Sequence, residues 1–320
     1  MTTPQQKIGS GFGARSTAQD VLRGIDLSGK LAIVTGGYSG LGLETTRALT
    51  AAGARVVVPA RRPSSAQEAL AGIGRVEIDE LDLADLESVR RFTERFLASG
   101  RKIDILIANA AIMACPETRV GPGWEVQFAT NHLGHYALVN RLWPAVAPGA
   151  RVVSVSSAGH RRSAIRWDDV QFKRGYDKWD AYGQAKTANI LFSVQLDALG
   201  RDAGVRAFSL HPGGIFTPLQ RHLARAEMVA AGWMDEEGRP LNPNFKTPEQ
   251  GASTQVWAAT SPKLDGMGGA YCEDCEIAEL VPDDHAAPTG VRSYAIDPVQ
   301  AARLWKLSSE LTGVDAFAAP

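Results

Sequence analysis

The stretch Leu31-Ala32-Ile33-Val34-Thr35-Gly36-Gly37-Tyr38-Ser39-Gly40-Leu41-Gly42 decides how the chain is read. Leu31 to Val34 is a short apolar run, the pattern of a strand covered on both faces. Four glycines follow within seven positions, and Leu43 to Ala52 then reads as a helix. A strand feeding a glycine turn and then a helix points backbone N–H groups and the positive helix end at one spot. That spot suits an anion, usually a phosphate. The spacing is T-G-x-x-x-G-x-G, set by Thr35, Gly36, Gly40 and Gly42. It differs from the common G-x-G-x-x-G because position 45 is threonine. A glycine turn alone is equally compatible with a plain tight turn, so other residues must require a dinucleotide there.

Outward from this stretch, strands and helices alternate. Arg55 to Val58, Val76 to Leu81, Ile103 to Ala108, Arg151 to Val155 and Val205 to Leu210 read as further strands, with Gly269 to Tyr271 a short seventh. Helical spacing covers Asp85 to Ala98, Trp124 to Val146 (with Pro144 bending or ending it), Trp179 to Leu199, Thr247 to Thr260 and Asp297 to Leu311. This alternation predicts an α/β fold with one doubly wound parallel sheet of about seven strands. Residues 1–28 are expected to form a loose N-terminal arm, and 29–320 a single domain with a C-terminal extension. The irregular stretch 215–246 is expected to be a helical, mobile lid over the open end of the crevice.

Bulk properties exclude several classes. The chain has 320 residues, 44% hydrophobic and 22% charged, with a net charge of −1. That balance supplies no field to attract nucleic acid or an anionic membrane. No apolar stretch reaches the roughly 18 residues needed to span a bilayer. Met1 to Ser10 lacks the apolar core of a signal peptide. The three cysteines, Cys115, Cys272 and Cys275, are too few for a disulfide scaffold. A cytoplasmic protein is expected, with the Cys272/Cys275 pair structural.

The end of the second strand tests the glycine turn. In doubly wound nucleotide folds an acid there bonds a ribose 2′-hydroxyl, whereas an arginine accommodates a 2′-phosphate. This chain has Ala60-Arg61-Arg62 and no acid. Guanidinium groups grip a phosphate bidentately, so NADP(H) is expected in preference to NAD(H). Asp82, ending the third strand, either accepts from the adenine amino group or caps the helix beginning near Asp85.

Tyr182-Gly183-Gln184-Ala185-Lys186 places Tyr182 and Lys186 one helical turn apart on the same face. A free tyrosine has a pKa near 10 and is a poor base at neutral pH. A nearby ammonium favours phenolate, bringing tyrosine into range for proton transfer, and can also bond the nicotinamide ribose. Ser156-Ser157 ends the fifth predicted strand, the edge at which ligands bind in such sheets.

With these residues in place the chain resembles the short-chain dehydrogenase/reductase family. The matching residues run in family order: Thr35-Gly36 through Gly42, Asp82-Leu83, Asn109-Ala110-Ala111, Asn131, Ser157, Tyr182 with Lys186, and Pro212-Gly213 with Thr217. Coverage extends over about residues 30 to 275. Thr130 to His135, Lys186 to Asn189, His211-Pro212-Gly213 and Tyr271 to Cys275 further resemble the retinol-dehydrogenase-like and WW-domain-oxidoreductase-like branch. The separation of 25 positions between Ser157 and Tyr182 exceeds that of the wider family and fits this branch.

The resemblance implies a role for each residue. Tyr182 is the general acid in reduction and the base in oxidation, and Ser157, taken over Ser156 because the family uses the second serine, steadies the substrate oxygen. Asn131 holds a water that links Lys186 to solvent. Gly36, Ser39, Gly40, Leu41, Arg61, Asp82, Leu83, Asn109, Ala110, Tyr182, Lys186, Pro212, Gly213, Ile215 and Thr217 hold the cofactor, with Asn109 near its ribose and Thr217 on the nicotinamide carboxamide. Two departures stand out. Ala111 replaces the glycine of the family's Asn-Ala-Gly, and Tyr38-Ser39 replaces the basic residue of many NADP enzymes. The 2′-phosphate then falls to Arg61, helped by Ser39 or Arg62. The expected activity is NADP(H)-dependent hydride transfer to or from a carbonyl or alcohol on a small apolar molecule. A non-catalytic NADP-binding regulator, or an enzyme acting on a C=C bond, is the alternative. Homo-oligomers occur in the family. No metal site is expected: His132 and His135 are close on one helix but lack a third ligand. His160, three residues after Ser157, is a candidate to touch substrate. Trp233 and Met228 either line the crevice or pack within the lid.

Overall fold

The computed structural model describes residues 3–318. Eight strands form one sheet: β1 (Leu31–Val34), β2 (Arg55–Ala60), β3 (Val76–Glu80), β4 (Ile103–Ala108), β5 (Val146–Val155), β6 (Arg206–His211), β7 (Tyr271–Glu273) and β8 (Glu276–Ile277). Their order is β8-β7-β6-β5-β4-β1-β2-β3. The first seven run parallel, and β8 turns back antiparallel to β7. The eighth strand adds a hairpin edge to the seven expected. Its turn residues Asp274 and Cys275 both have positive φ, 52° and 58°, the backbone twist a two-residue hairpin needs.

Apolar strands are covered on both faces, as their composition requires. On one face Ala32, Val34, Val56 and Val58 pack with Leu49 of helix α1 (Gly40–Ala51) and with a later helix carrying Val256 and Trp257. On the other, Ile33, Val57 and Leu106 meet Phe92 and Phe96 of α2 (Leu86–Ala98), Leu138 and Leu142 of α3 (Gly134–Leu142), and Phe192 of α4 (Lys178–Gly200). Residues of α5 (Ser253–Thr260) include that Val256 and Trp257. The C-terminal α6 (Pro298–Thr312) lies on α4, with Trp305 stacked on Phe192 at 5.8 Å. The strand order reverses between β1 and β4, which opens a crevice at the carboxyl ends of the strands.

The long helix expected over Trp124 to Val146 is interrupted. Trp124–Glu125 pairs with Arg119–Val120 as a short antiparallel ladder. The Glu125 carboxylate then accepts from the N–H groups of Gln127 (3.0 Å) and Phe128 (2.7 Å), so the helix begins at Val126. A π-helical segment, Ala129–Leu133, follows before α3. A 3-10 turn, Trp143–Ala145, contains Pro144 and ends the run.

Residues 3–28 are laced to the sheet rather than loose. Both Ile8 and Ser10 donate backbone N–H to the Glu276 carboxylate, at 2.7 and 2.8 Å. Gln5 bonds the backbone of Tyr271 and Ala278, and Val21 and Leu22 are buried in the core. Segment 215–246 contains a 3-10 turn (Pro218–His222) and a short helix (Arg225–Ala230). Its two ends meet through an Ile215–Lys246 bridge. Leu280–Val281 pairs with Val291–Arg292, which brings Ala287, Pro288 and Thr289 to the edge of the crevice.

Candidate active site

The carboxyl ends of β1, β4, β5 and β6 open into one cleft of about 1530 Å³. At one end is the glycine turn. Gly42 sits where α1 lies directly on the Gly36 carbonyl: a Cβ there would fall 2.2 Å from Gly36 O and 2.6 Å from Asn109 Nδ2. Thr35 organises the turn from beneath. Its hydroxyl accepts the N–H groups of Asn109 (2.9 Å) and Ala110 (3.0 Å) and pairs with His135 Nε2 at 2.8 Å. Asn109 Nδ2 donates to the Thr35 carbonyl at 2.9 Å, so the asparagine clamps the turn. Gly36, Ser39, Gly40, Leu41, Asn109 and Ala110 all line the cleft, with α1 opening at Gly40.

Arg61 and Arg62 follow β2 and line the same end. Neither has an ion-pair partner among the described residues. Asp82 and Leu83 lie outside the main cleft, in an adjoining recess of about 120 Å³ shared with Arg61, Gly36 and Ala110. Asp85, not Asp82, caps α2, accepting from Glu87 N–H. Among the described residues, Asp82 Oδ1 accepts only from Ala84 N–H two residues on. A recess beside two free guanidiniums, and backbone N–H groups at a helix start, fit the adenosine and phosphates of a dinucleotide.

The chemical residues meet halfway along. Gly159 and Gly183 let α4 approach the turn after β5: a Cβ on Gly159 would lie 2.9 Å from the Tyr182 ring, and one on Gly183 2.9 Å from the Gly159 carbonyl. Tyr182 thereby comes beside Ser157, whose hydroxyl accepts Gly159 N–H at 3.0 Å. Ser156 is engaged elsewhere, donating to the Lys186 carbonyl at 2.7 Å. Lys186 Nζ lies 5.5 Å from the Tyr182 ring centroid and donates to the Val155 carbonyl at 2.8 Å.

The electrostatics depart from the expected lowering of Tyr182 by lysine. Burial pushes the Tyr182 phenol up to about 12, and the neighbouring Ser157 hydroxyl opposes it. Burial also brings Lys186 down to about 7. Both groups sit in a water-poor site, so desolvation outweighs their mutual influence. Asn131, within the π-helical segment, does not line the cleft. It is fully buried and exchanges two hydrogen bonds with the Ile112 backbone, each 2.9 Å, while its own carbonyl meets His135 Nδ1 at 3.0 Å.

Pro212, Gly213, Ile215 and Thr217 line the cleft after β6. The Thr217 hydroxyl caps the following turn, accepting Leu219 N–H at 3.2 Å. Beyond Tyr182 the wall is apolar: Met113, Trp179, Leu219, Leu223, Met228 and Trp233. Both lid residues singled out in the sequence, Met228 and Trp233, face the cleft and also pack with one another's neighbours. Trp179 meets Trp233 edge-on at 6.0 Å. The opposite wall is polar and was not anticipated: His211, Lys246, Glu273, Asp274 and Thr289. Lys246 Nζ pairs with Asp274 at 2.6 Å beside Gly213. Arg15 of the N-terminal arm also reaches the cleft. Only C-E-D-C and H-P-G motifs hinted at the polar wall, and nothing local marked Lys246 or Arg15.

His132 and His135 are structural in their bonding. His132 Nε2 meets Ser308 Oγ at 2.8 Å, and both nitrogens of His135 are engaged as described. His160 is buried and does not line the cleft. No described helix is long and apolar enough to cross a membrane.

Comparison with known proteins agrees with this geometry. The family model of short chain dehydrogenases matches residues 30–228. A probable oxidoreductase of Streptomyces lividans is 47% identical over 297 residues, covering 89% of this chain and 98% of that protein. Retinol dehydrogenase 12 of Mus musculus is 36% identical over 300 residues, covering 91% of this chain and 88% of its own length. Among solved structures, an uncharacterized protein from Mycobacterium paratuberculosis superposes with a TM-score of 0.73 at 33% identity, covering 95% of this chain and all of the other. The Pseudomonas aeruginosa RhlG/NADP active-site complex gives 0.59 at 25% identity, over 77% of this chain and 94% of that one. The chain belongs to the short-chain dehydrogenase/reductase family, in its retinol-dehydrogenase-like branch, and is an oxidoreductase.

Proposed function

We propose that the protein is an NADPH-dependent carbonyl reductase acting on an apolar aldehyde or ketone. The observation that carries this reading is the meeting of Tyr182, Ser157 and Lys186 between a phosphate-suited glycine turn and an apolar pocket. Gly36, Ser39, Gly40, Leu41, Asn109 and Ala110 would hold the pyrophosphate and ribose, and Asp82 and Leu83 the adenine. Arg61, with Arg62, would take the 2′-phosphate, and Pro212, Gly213, Ile215 and Thr217 the nicotinamide. When bound, the reduced nicotinamide supplies a hydride. The name of a neighbouring structure, an NADP complex, supports the phosphorylated cofactor.

The protein's own part is proton handling and placement. With its phenol held near 12 by burial, Tyr182 carries a proton throughout the neutral range, as a general acid in reduction requires. Ser157 accepts from Gly159 N–H, leaving its hydroxyl hydrogen to steady the substrate oxygen as negative charge develops there. Lys186, beside Tyr182, and Asn131 would return a proton to it from solvent. The wall of Met113, Trp179, Leu223, Met228 and Trp233 favours an apolar substrate body. A screen of aldehydes and ketones for NADPH oxidation, with products identified by mass spectrometry, tests the reading. Tyr182→Phe should retain NADPH binding by fluorescence titration and lose about 1000-fold or more in kcat. Full turnover by that variant, or reduction of C=C bonds alone, sinks the proposal.

A further inference from the structure

His160 is buried, outside the cleft, and in contact with three separate parts of the chain. Its Nδ1 lies 2.7 Å from the Ser157 carbonyl, and its Nε2 lies 3.3 Å from the backbone N of Arg292. A carbonyl only accepts and a backbone N–H only donates, so Nδ1 must carry the hydrogen and Nε2 must be bare. The ring's partners therefore select one neutral tautomer. Burial supports the neutral form, pulling the imidazole down to about 4, with Arg161 and Arg292 adding to the effect. Tyr271 packs edge-on against the ring at 5.2 Å. The His160 carbonyl accepts from Tyr294 OH (2.8 Å) and from Thr187 Oγ1 (3.1 Å), the residue after Lys186.

Arg292 begins the return from the loop 282–290, whose Ala287, Pro288 and Thr289 wall the cleft. The same loop is held by its His285 carbonyl, which accepts from Arg161 (2.8 Å) and Arg292 (2.9 Å). We propose that His160 is a positioning residue whose ring ties the Ser157 turn to this C-terminal loop, so that substrate anchor and cleft wall are set as one unit. The proposal rests on the reductase reading, in which Ser157 steadies the substrate oxygen. His160 acts through Ser157 and does not touch the reacting atoms.

Two substitutions separate the two halves of the tie. In His160→Asn the side-chain amide can occupy the place of Nδ1–H and keep Ser157, but is too short to reach Arg292. In His160→Gln the amide oxygen can accept from Arg292 N–H, but Ser157 is released. With the full chain, NADPH and the carbonyl compound reduced fastest in the screen, H160Q should lose about tenfold in kcat with KM little changed, since small misplacements of a reacting group are costly. H160N should keep kcat and raise KM several-fold. In a double-mutant cycle, H160Q should cost nothing further once Ser157 is alanine. Identical kinetics for H160N and H160Q, or full additivity with Ser157→Ala, overturns the proposal. A fully active Ser157→Ala would instead overturn the reductase reading. Long-range ¹H–¹⁵N NMR of the ligand-free protein gives a readout independent of activity. It should find the His160 proton on Nδ1, and a proton on Nε2 alone overturns the proposal whatever the substrate.

Discussion

At the glycine-turn end of the cleft, most contributing groups stand at or just beyond the carboxyl end of β1, β2, β3 or β4, and the backbone there is clamped by Thr35 and Asn109. At the other end, the walls come largely from segments 215–246 and 282–290, the loop around Met113 and the start of α4, with His211 and Glu273 contributed by the ends of β6 and β7. The backbone of the first end is tightly fixed, because moving Thr35, Asn109 or Ala110 breaks a hydrogen bond between them. The second is held by side-chain packing and a few ties at its edges, such as the Ile215–Lys246 bridge and the Lys178–Glu227 ion pair. A constant cofactor and an exchangeable substrate shape would each be served by the end proposed to hold it.

The largest test of this contrast lies where the two ends meet. Alcohol oxidation needs Tyr182 as phenolate and carbonyl reduction needs it as phenol. Burial raises the group to about 12, so the protonated form persists below that value. Oxidation should therefore climb by about tenfold per pH unit through the alkaline range, while the tyrosine-dependent part of reduction stays flat through neutrality. Initial rates in both directions across pH check this, and oxidation that has levelled off by neutral pH would show that the bound cofactor lowers Tyr182 substantially.

Next in size is the rigid end. Gly42→Ala would place a methyl 2.2 Å from the Gly36 carbonyl, and overpacking of this kind costs about 1–3 kcal/mol. NADPH affinity should fall by about tenfold to 100-fold, with a lower melting temperature. An unchanged dissociation constant by titration would mean that the turn tolerates what its geometry forbids. Arg61→Asp acts on charge rather than shape. It should reduce the preference for NADPH over NADH by about tenfold or more, measured as the ratio of kcat/KM for the two cofactors. An unchanged ratio would place the 2′-phosphate elsewhere, with Arg62 or Arg15 the next positions to change.

The same contrast explains what could be read from sequence. The sheet was legible because buried parallel strands are continuous apolar runs, and the glycine turn because its residues are contiguous. Tyr182 and Lys186 were legible through helical spacing. The break in the expected helix from Trp124 was not, because Glu125 delays the start of the helix to Val126 by capping it from inside the fold. Nor was the anchoring of the N-terminal arm: the partners of Gln5 and Ile8 lie 266 to 273 positions away, where no local pattern reports them. Lys246 and Thr289 reach the cleft through nearer pairings, Ile215 with Lys246 and Leu280 with Val291, that no local pattern marks either. The burial that pushes Tyr182 up and Lys186 down was hidden for a different reason. Spacing shows that two groups are neighbours, whereas their burial, which dominates both, is a property of the whole fold.

The smallest effect is expected at the packed end. Trp233 is only half-buried and touches Trp179 and Phe245 edge-on, at 6.0 and 6.3 Å. Trp179 in turn meets Tyr182 at 6.5 Å, so the aromatic contacts run from the lid to the acid without any hydrogen bond between them. Trp233→Ala removes apolar surface from the wall while leaving Ser157, Tyr182 and the glycine turn in place. For an apolar carbonyl substrate, KM should rise by about threefold to tenfold, in line with partial burial of a large side chain, while kcat and the NADPH dissociation constant stay within about twofold. A loss in kcat of the size expected for Tyr182→Phe would mean that the lid sets the acid's position as well as the pocket's shape. The two ends of the cleft would then be one rigid unit, and substrate range could not be altered at the lid without changing the chemistry.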